Sequence, residues 1–264
     1  MESFHFMLNK LHYVMRNVIV LCLLLFCAHP LFAQTPIEIG VKGGLSIPNL
    51  TAGNKDNPLV SGYSSRVGPD FAVQVEFHLS KHFSIQPQLE YSAQGGKRNG
   101  YQAFPPPAAL VAGIPAEQVP KYLYATFNST AKFNYLMLPI LAKYRLQLAK
   151  RWGFYVAAGP FVSRMLNAKQ VTSGTSVIYA DAGHTTPIAP ETSLNQVTNI
   201  KDDLHDFNAG LSGHVGFAYM FGKSSVFVEG GGNYGFVKAQ KSDVNGSNNT
   251  GAGVVNIGYS FRVH

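Results

Sequence analysis

Ser212 and His214 stand two residues apart, on one face of a strand, and Glu229 lies on the strand that follows. A hydroxyl, an imidazole and a carboxylate can act as nucleophile, base and orienting group, the equipment of acyl transfer. Pairing about a turn at 222–225 sets His214 opposite Asn233 and leaves Glu229 four residues away, roughly 13 Å at about 3.3 Å per residue. No orienting hydrogen bond spans that distance, so the three read as polar filling of an interior. The stretch KDDLHD, with Asp202, Asp203, His205 and Asp206, offers oxygen and imidazole donors to a divalent cation. Dense carboxylates just before a strand read instead as a solvated turn. DVNGSNN at 243–249 lacks the Glu that completes a calcium loop, and no helix follows GGGNYG (Gly230, Gly232, Gly235) to receive a phosphate. His78 and His82 flank a short turn and read as surface residues. No catalytic residue, metal or cofactor is expected.

The elements that would position these groups follow from composition and period. Of 264 residues, 46% are hydrophobic and 13% charged, about half the usual charged fraction. The longest apolar run, residues 18–28, has 11 residues where a membrane-spanning helix needs about 20. Disorder and a helical membrane protein are thereby excluded, and a β-rich chain facing two environments remains. The net charge of +7 is scattered without a Lys/Arg cluster, so no nucleic-acid partner is expected. Lys10 and Arg16, then VIVLCLLLFCA, then Leu31-Phe32-Ala33 before Gln34 read as a secretory signal peptide over 1–33, leaving a domain over 34–264. Its removal takes Cys22 and Cys27 away, so disulfides and thiolate chemistry are closed to the exported chain.

Alternation of period two marks eight segments: 36–46, 68–79, 83–97, 131–146, 152–165, 206–221, 226–238 and 251–264. It is plainest where Phe71, Val73, Val75 and Phe77 alternate with Ala72, Gln74, Glu76 and His78. Segments this long suit tilted membrane strands. Short links at 80–82, 147–151 and 222–225 alternate strictly with long ones at 47–67, 98–130, 166–205 and 239–250. The expected fold is an all-β, eight-stranded, antiparallel up-and-down transmembrane barrel, with short periplasmic turns and long external loops. Pro87, Pro139 and Pro160 cannot donate to a ladder and are expected at bulges or strand ends. Trp152 and Tyr144 near the short turns, with Tyr91, Tyr234 and Tyr259, suit the headgroup girdles.

Parity then assigns the lumen. Glu76 should face Gln86, Gln74 should face Gln88, Lys143 should face Tyr155 and Leu141 should face Ala157. Four carboxylates, Glu38, Glu76, Glu90 and Glu229, meet four cations, Lys42, Lys143, Arg145 and Arg262. A balanced set in so narrow a barrel predicts a plugged, self-neutralised lumen rather than an ion path.

The runs IQPQLEYSAQGGK at 85–97, NYLMLPILAKYRL at 134–146 and FYVAAGP at 154–160 resemble successive strands of the PorT-like outer-membrane β-barrel family of Gram-negative bacteria. Asn256, Gly258, Phe261 and Val263 are similar to the C-terminal strand signal read by the barrel-assembly machinery. The resemblance implies an eight-stranded barrel in the outer membrane, in contact with its lipid and lipopolysaccharide, and defines no catalytic or binding residue. Some members of the family serve secretion or gliding machinery. The reading is a non-enzymatic outer-membrane barrel, structural or partner-docking, whose function lies in loops such as 98–130, with Pro105–Pro107, Tyr122, Tyr124 and Phe127. Two alternatives are a lipid A-modifying enzyme and a soluble, secreted, lipocalin-like carrier with its greasy face inward.

Overall fold

A computed structural model describes residues 36–52, 58–59, 62–242 and 247–263. The expected signal peptide at 1–33, the first four residues of the 243–249 loop and His264 lie outside them. In chain order the strands are β1 (Ile37–Ala52), β2 (Gly68–His78), β3 (Phe83–Phe104), β4 (Leu123–Gln147), β5 (Trp152–Ser173), β6 (Thr175–Tyr179), β7 (Pro187–Ser193), β8 (Gln196–Asn199), β9 (Phe207–Phe221), β10 (Ser224–Lys238) and β11 (Asn248–Arg262). β1 to β5 and β9 to β11 pair in chain order, and β1 closes on β11 from Glu38↔Arg262 to Ala52↔Asn248, giving a ring of eight antiparallel strands. Closure removes the exposed edges that an open sheet of this length would present.

The alternation read from the sequence is realised in space. Val41, Val73, Leu89, Leu138, Val156, Phe217, Val228 and Ile257 all lie on the outer face, each from 44% to 60% exposed. Glu76, Gln86, Gln88, Ser92 and Asn256 lie inward and are buried. β-branched and aromatic side chains suit a pleated surface; here they cover its outside. On β4 the outward apolar residues run from Leu136 to Leu146. At about 3.3 Å per residue and a tilt of about 40°, that stretch rises roughly 28 Å, close to the ~25 Å apolar band of such barrels. Trp152 packs edge-on to Tyr219 at 5.0 Å beside the short turns. Phe71 stacks on Tyr91 at 4.8 Å towards the other end.

Beyond the band, β3, β4 and β5 continue into water. Outward positions on β4 change to Thr126, Asn128, Thr130, Lys132 and Asn134. The expected loop 98–130 is thus largely hairpin: Tyr124 and Phe127 belong to β4, and the connection shortens to residues 105–122. The expected loop 166–205 carries the end of β5, then β6 and β7 paired with each other, and β8 paired to β5.

Two expected registers are shifted by two residues. The chain turns over Ala149–Trp152, with the Trp152 amide donating to the Ala149 carbonyl at 3.2 Å, so Lys143 pairs with Ala157 and Arg145 with Tyr155. Leu141 therefore does not face Ala157. At the other hairpin a tight turn at Gly222-Lys223, with Gly222 at φ 60°, starts β10 at Ser224. His214 then faces Gly231, and Asn233 faces Ser212. The pairing of Gln74 with Gln88 is as expected. Pro87, Pro139 and Pro160 are not at bulges. They sit inside adjacent strands, opposite Ile140, Phe161 and Leu211, with the register unshifted on either side. The β4–β5 bulge lies elsewhere, at Asn134/Tyr135.

Candidate functional site

The interior is layered from the short-turn end upward. The lowest layer holds Glu38 on β1, Glu76 and His78 on β2, and Lys143 and Arg145 on β4. Lys143 Nζ donates to Glu76 Oε2 at 2.8 Å, and Arg145 Nη2 to Glu76 Oε1 at 3.1 Å. Glu38 Oε2 lies 3.2 Å from His78 Nε2 and 3.8 Å from Arg145 Nη1, and its other oxygen accepts from Ser225 at 3.1 Å and from Ser260. Arg262 reaches Glu38 Oε2 only at 4.0 Å, from an exposed position at the barrel mouth where β11 ends. His78 is therefore not the surface residue expected; it faces the mouth of the lumen, while His82 remains exposed and meets the Arg145 carbonyl at 3.0 Å.

The middle layer centres on Lys42. Its ammonium donates to Glu229 Oε1 at 2.8 Å and lies 3.7 Å from Glu90 Oε2. Tyr155 donates its hydroxyl to Glu229 Oε2 at 2.7 Å, and Lys143 Nζ sits 4.1 Å above the Tyr155 ring, joining the two layers. Room for that ring comes from Gly216, where a Cβ would stand 2.4 Å from it. Asp70 is a lumen carboxylate absent from the expected set, though β2 parity points it inward with Gln74 and Glu76. It is buried and accepts from Asn256 Nδ2 at 3.0 Å.

Ser212, His214 and Glu229 come together in this layer, against the expectation of a 13 Å gap. Ser212 Oγ lies 2.9 Å from His214 Nε2, and His214 Nδ1 lies 3.6 Å from Glu229 Oε1. The order of groups is that of an acyl-transfer triad. All three are nevertheless 4% exposed and face the packed lumen, not lipid, and none of them lines a described cavity. The Ser212–His214 contact is present, but His214 Nδ1 makes no hydrogen bond to Glu229, so the base lacks its orienter as well as a cavity for a substrate.

Above the ionic layers the lumen is filled by an apolar cluster beside the hydrogen-bonded pairs Gln94–Asn233 and Asn208–Thr250. Phe133, Tyr135, Met137, Phe161 and Met165 pack together beneath Leu204 and Ala239, so the interior is sealed by side chains. Leu204 belongs to KDDLHD. Its neighbours Asp202, Asp203, His205 and Asp206 are exposed, with Asp206 3.7 Å from Lys201, and they form no metal group. Among the described residues the donors that do converge are Glu38, Glu76 and His78, within 4.8 Å of one another. Glu76 already accepts from Lys143, Arg145 and Ser84, and Glu38 from Ser225 and Ser260, so this set suits an ion-pair cluster better than a cation.

Outside the lumen, Asp181 stands between β6 and β7. Its carboxylate accepts from the backbone N–H groups of Gly183 at 2.8 Å, Thr185 at 3.2 Å and Thr186 at 2.7 Å. Desolvation would raise its pKa, but these donors outweigh it and hold the group at about 2.

The family model described as outer membrane protein beta-barrel domain matches residues 32–262. A search of curated proteins finds no match. Among solved structures, Neisserial surface protein A is 10% identical, with 86% of this chain and 96% of that one covered at a TM-score of 0.38. The outer membrane protein OprG from Pseudomonas aeruginosa is 10% identical, with 87% and 97% covered at 0.36. The outer membrane protease OmpT from Escherichia coli is 9% identical, with 86% and 96% covered at 0.43. With its match running through every strand of the ring, the chain belongs to the outer membrane protein beta-barrel domain family and is a protein of the outer membrane.

Proposed function

We propose that this barrel is a non-enzymatic, non-conducting component of the outer membrane that offers its external extension to a protein partner. In this reading it is of the PorT-like kind, tied to secretion or gliding machinery, and reaches the membrane after cleavage of residues 1–33. The observation that carries the proposal is the filled lumen. Ion pairs with their hydrogen-bonded neighbours fill the lower two layers, and an apolar cluster with the Gln94–Asn233 and Asn208–Thr250 pairs fills the one above, so neither ions nor a substrate has a path. What remains available is the rim, where β3 to β8 stand beyond the apolar band. We assign recognition by the barrel-assembly machinery to the end of β11, which turns Asn256 and Gly258 inward and Phe261 and Val263 outward. Lipid and lipopolysaccharide are the expected neighbours of the outer face.

Two measurements test the proposal. Reconstitution in planar bilayers should give no steady ion current. A photo-cross-linker placed at Val197, 65% exposed on β8, should capture a defined protein in intact cells. A conducting pore, or an extension that cross-links to nothing but lipopolysaccharide, contradicts it. The grouping of Ser212, His214 and Glu229 supports a second reading, a lipid A-modifying enzyme. That reading requires altered lipid A acylation to vanish in a His214→Ala variant whose barrel still folds. A soluble lipocalin-like carrier does not agree with an outer face carrying Val73 at 51% and Ile257 at 60% exposure.

A further inference from the structure

Arg98 is the buried cation that the lumen network does not use. It points inward from β3 above the apolar seal, is 8% exposed, and among the described residues has no carboxylate within salt-bridge distance. Its Nη1 donates to the Leu59 carbonyl at 2.7 Å and its Nη2 meets the Ala103 carbonyl at the 3.5 Å limit. The guanidinium carbon lies 5.4 Å from the centre of the Tyr63 ring. A guanidinium has five N–H donors, and two carbonyls with the ring and hydroxyl of Tyr63 do not cancel its charge. Among the described residues the other buried cations, Lys42 and Lys143, each have a carboxylate at 2.8 Å. A buried charge persists when it is paired, so among the described residues Arg98 is a cation that lacks its counter-charge.

The guanidinium lines a cavity of about 180 Å³ in the external extension, closed below by Phe133 and Leu204 and walled by Phe104 and Phe127. Its polar lining includes Gln102 and Ser129. Both are engaged within the wall: Gln102 Nε2 donates to the Phe127 carbonyl at 2.6 Å, and Ser129 Oγ accepts from Gln170 Nε2 at 3.1 Å. Asp203 stands on the rim, exposed.

We propose that this cavity is a binding site for a small carboxylate with an apolar body, its carboxylate paired with Arg98 and its body packed against the wall that Phe104 and Phe127 form together. A planar fork of N–H donors matches a carboxylate bidentately. With Asp203 exposed at the rim and the rest of the described lining neutral, one cation balances at most a single negative charge and leaves half of a phosphate dianion uncompensated. The size agrees: an apolar cavity of about 150 Å³ accommodates benzene, so this one takes a ring or a short chain with its acid group and not a full acyl chain. None of this depends on the lumen being closed or on a protein partner.

The barrel, extracted in a non-ionic detergent, is titrated calorimetrically at neutral pH with sodium benzoate and sodium hexanoate, and with benzyl alcohol as the uncharged isostere. The expected result is saturable carboxylate binding with a dissociation constant on the order of 1 mM or tighter. Benzyl alcohol should bind at least ~10-fold more weakly, and Arg98→Gln should remove that preference. Should Arg98→Gln not fold, Gln170→Glu, which adds a negative charge to the lining without touching the guanidinium, should weaken benzoate about 10-fold and leave benzyl alcohol unchanged. Equal affinity for acid and alcohol, benzoate binding insensitive to both substitutions, or no saturable binding of either acid up to about ten times the expected constant overturns the proposal. Arg98 would then be a guanidinium solvated by cavity water.

Discussion

Replacing Lys42 by methionine isolates the energetics of the lumen. The side chains are of similar length, so what is lost is one ammonium, 0% exposed, 2.8 Å from Glu229 and 3.7 Å from Glu90. Removing one partner of a buried pair leaves an uncompensated charge, at a cost of about 3–5 kcal/mol. Here two carboxylates lose the same cation and Asp70 lies inward at the same level, so about 4 kcal/mol is expected for Lys42→Met. With a urea dependence of about 2–3 kcal/mol/M, the unfolding midpoint in lipid vesicles should fall by about 1.5–2 M. Trp152, the chain's one tryptophan and 51% exposed in the lower girdle, reports the transition by fluorescence. Adding Glu229→Gln should recover at least ~1 kcal/mol, because the two residues share one interaction. A Lys42→Met barrel within about 0.5 kcal/mol of the parent, or two substitutions whose effects simply add, refutes the reasoning.

Other consequences are as direct. Val73→Arg puts a charge near the middle of the apolar band and should destabilise the barrel by about 2–4 kcal/mol in bilayers, measured by the same urea titration. Gly216→Val should displace the Tyr155 ring and break its bond to Glu229, costing about 1–3 kcal/mol by overpacking, with a changed near-ultraviolet circular dichroism spectrum as the sign of ring movement. Asp181 has a native pKa of about 2 against an ordinary 3.8. Its support of the β6–β7 turn is thus fully present above the ordinary value and fades as pH falls towards the native one. The protection factors of the Thr185 and Thr186 amides, each taken against intrinsic exchange at the same pH, should fall between neutral pH and that range and be reduced throughout in Asp181→Asn.

The strands were legible because each membrane strand must show one face to hydrocarbon and the other to a polar interior. That requirement writes a period of two into stretches such as Phe71–Phe77 and Val255–Val263. Parity also carries Asp70 and His78 into the lumen. Register was less legible, because it is decided by a few turn residues: Gly222 at φ 60° and the Ala149–Trp152 turn each move the pairing by two. That shift separates a Ser212–His214–Glu229 cluster from three unrelated polar residues. β7 and β8 left little trace, since their two faces both meet water and no alternation is needed. Arg98 was hidden for the same reason: the stretch carrying it has the composition of a loop and becomes strand only where β3 and β4 rise together beyond the membrane.

The central claim, hydrocarbon outside and a polar, ion-paired interior, is tested most directly by lipid quenching of the outer face. The chain after residue 33 contains no cysteine, so single cysteines can be placed at Val73, Leu138 and Ile257, and at Ser193 in β7 as a reference, and each labelled with a fluorophore. In vesicles of brominated lipid the first three should be strongly quenched and the label at 193 should not. Labels at 73, 138 and 257 quenched no more than the one at 193 would contradict the account.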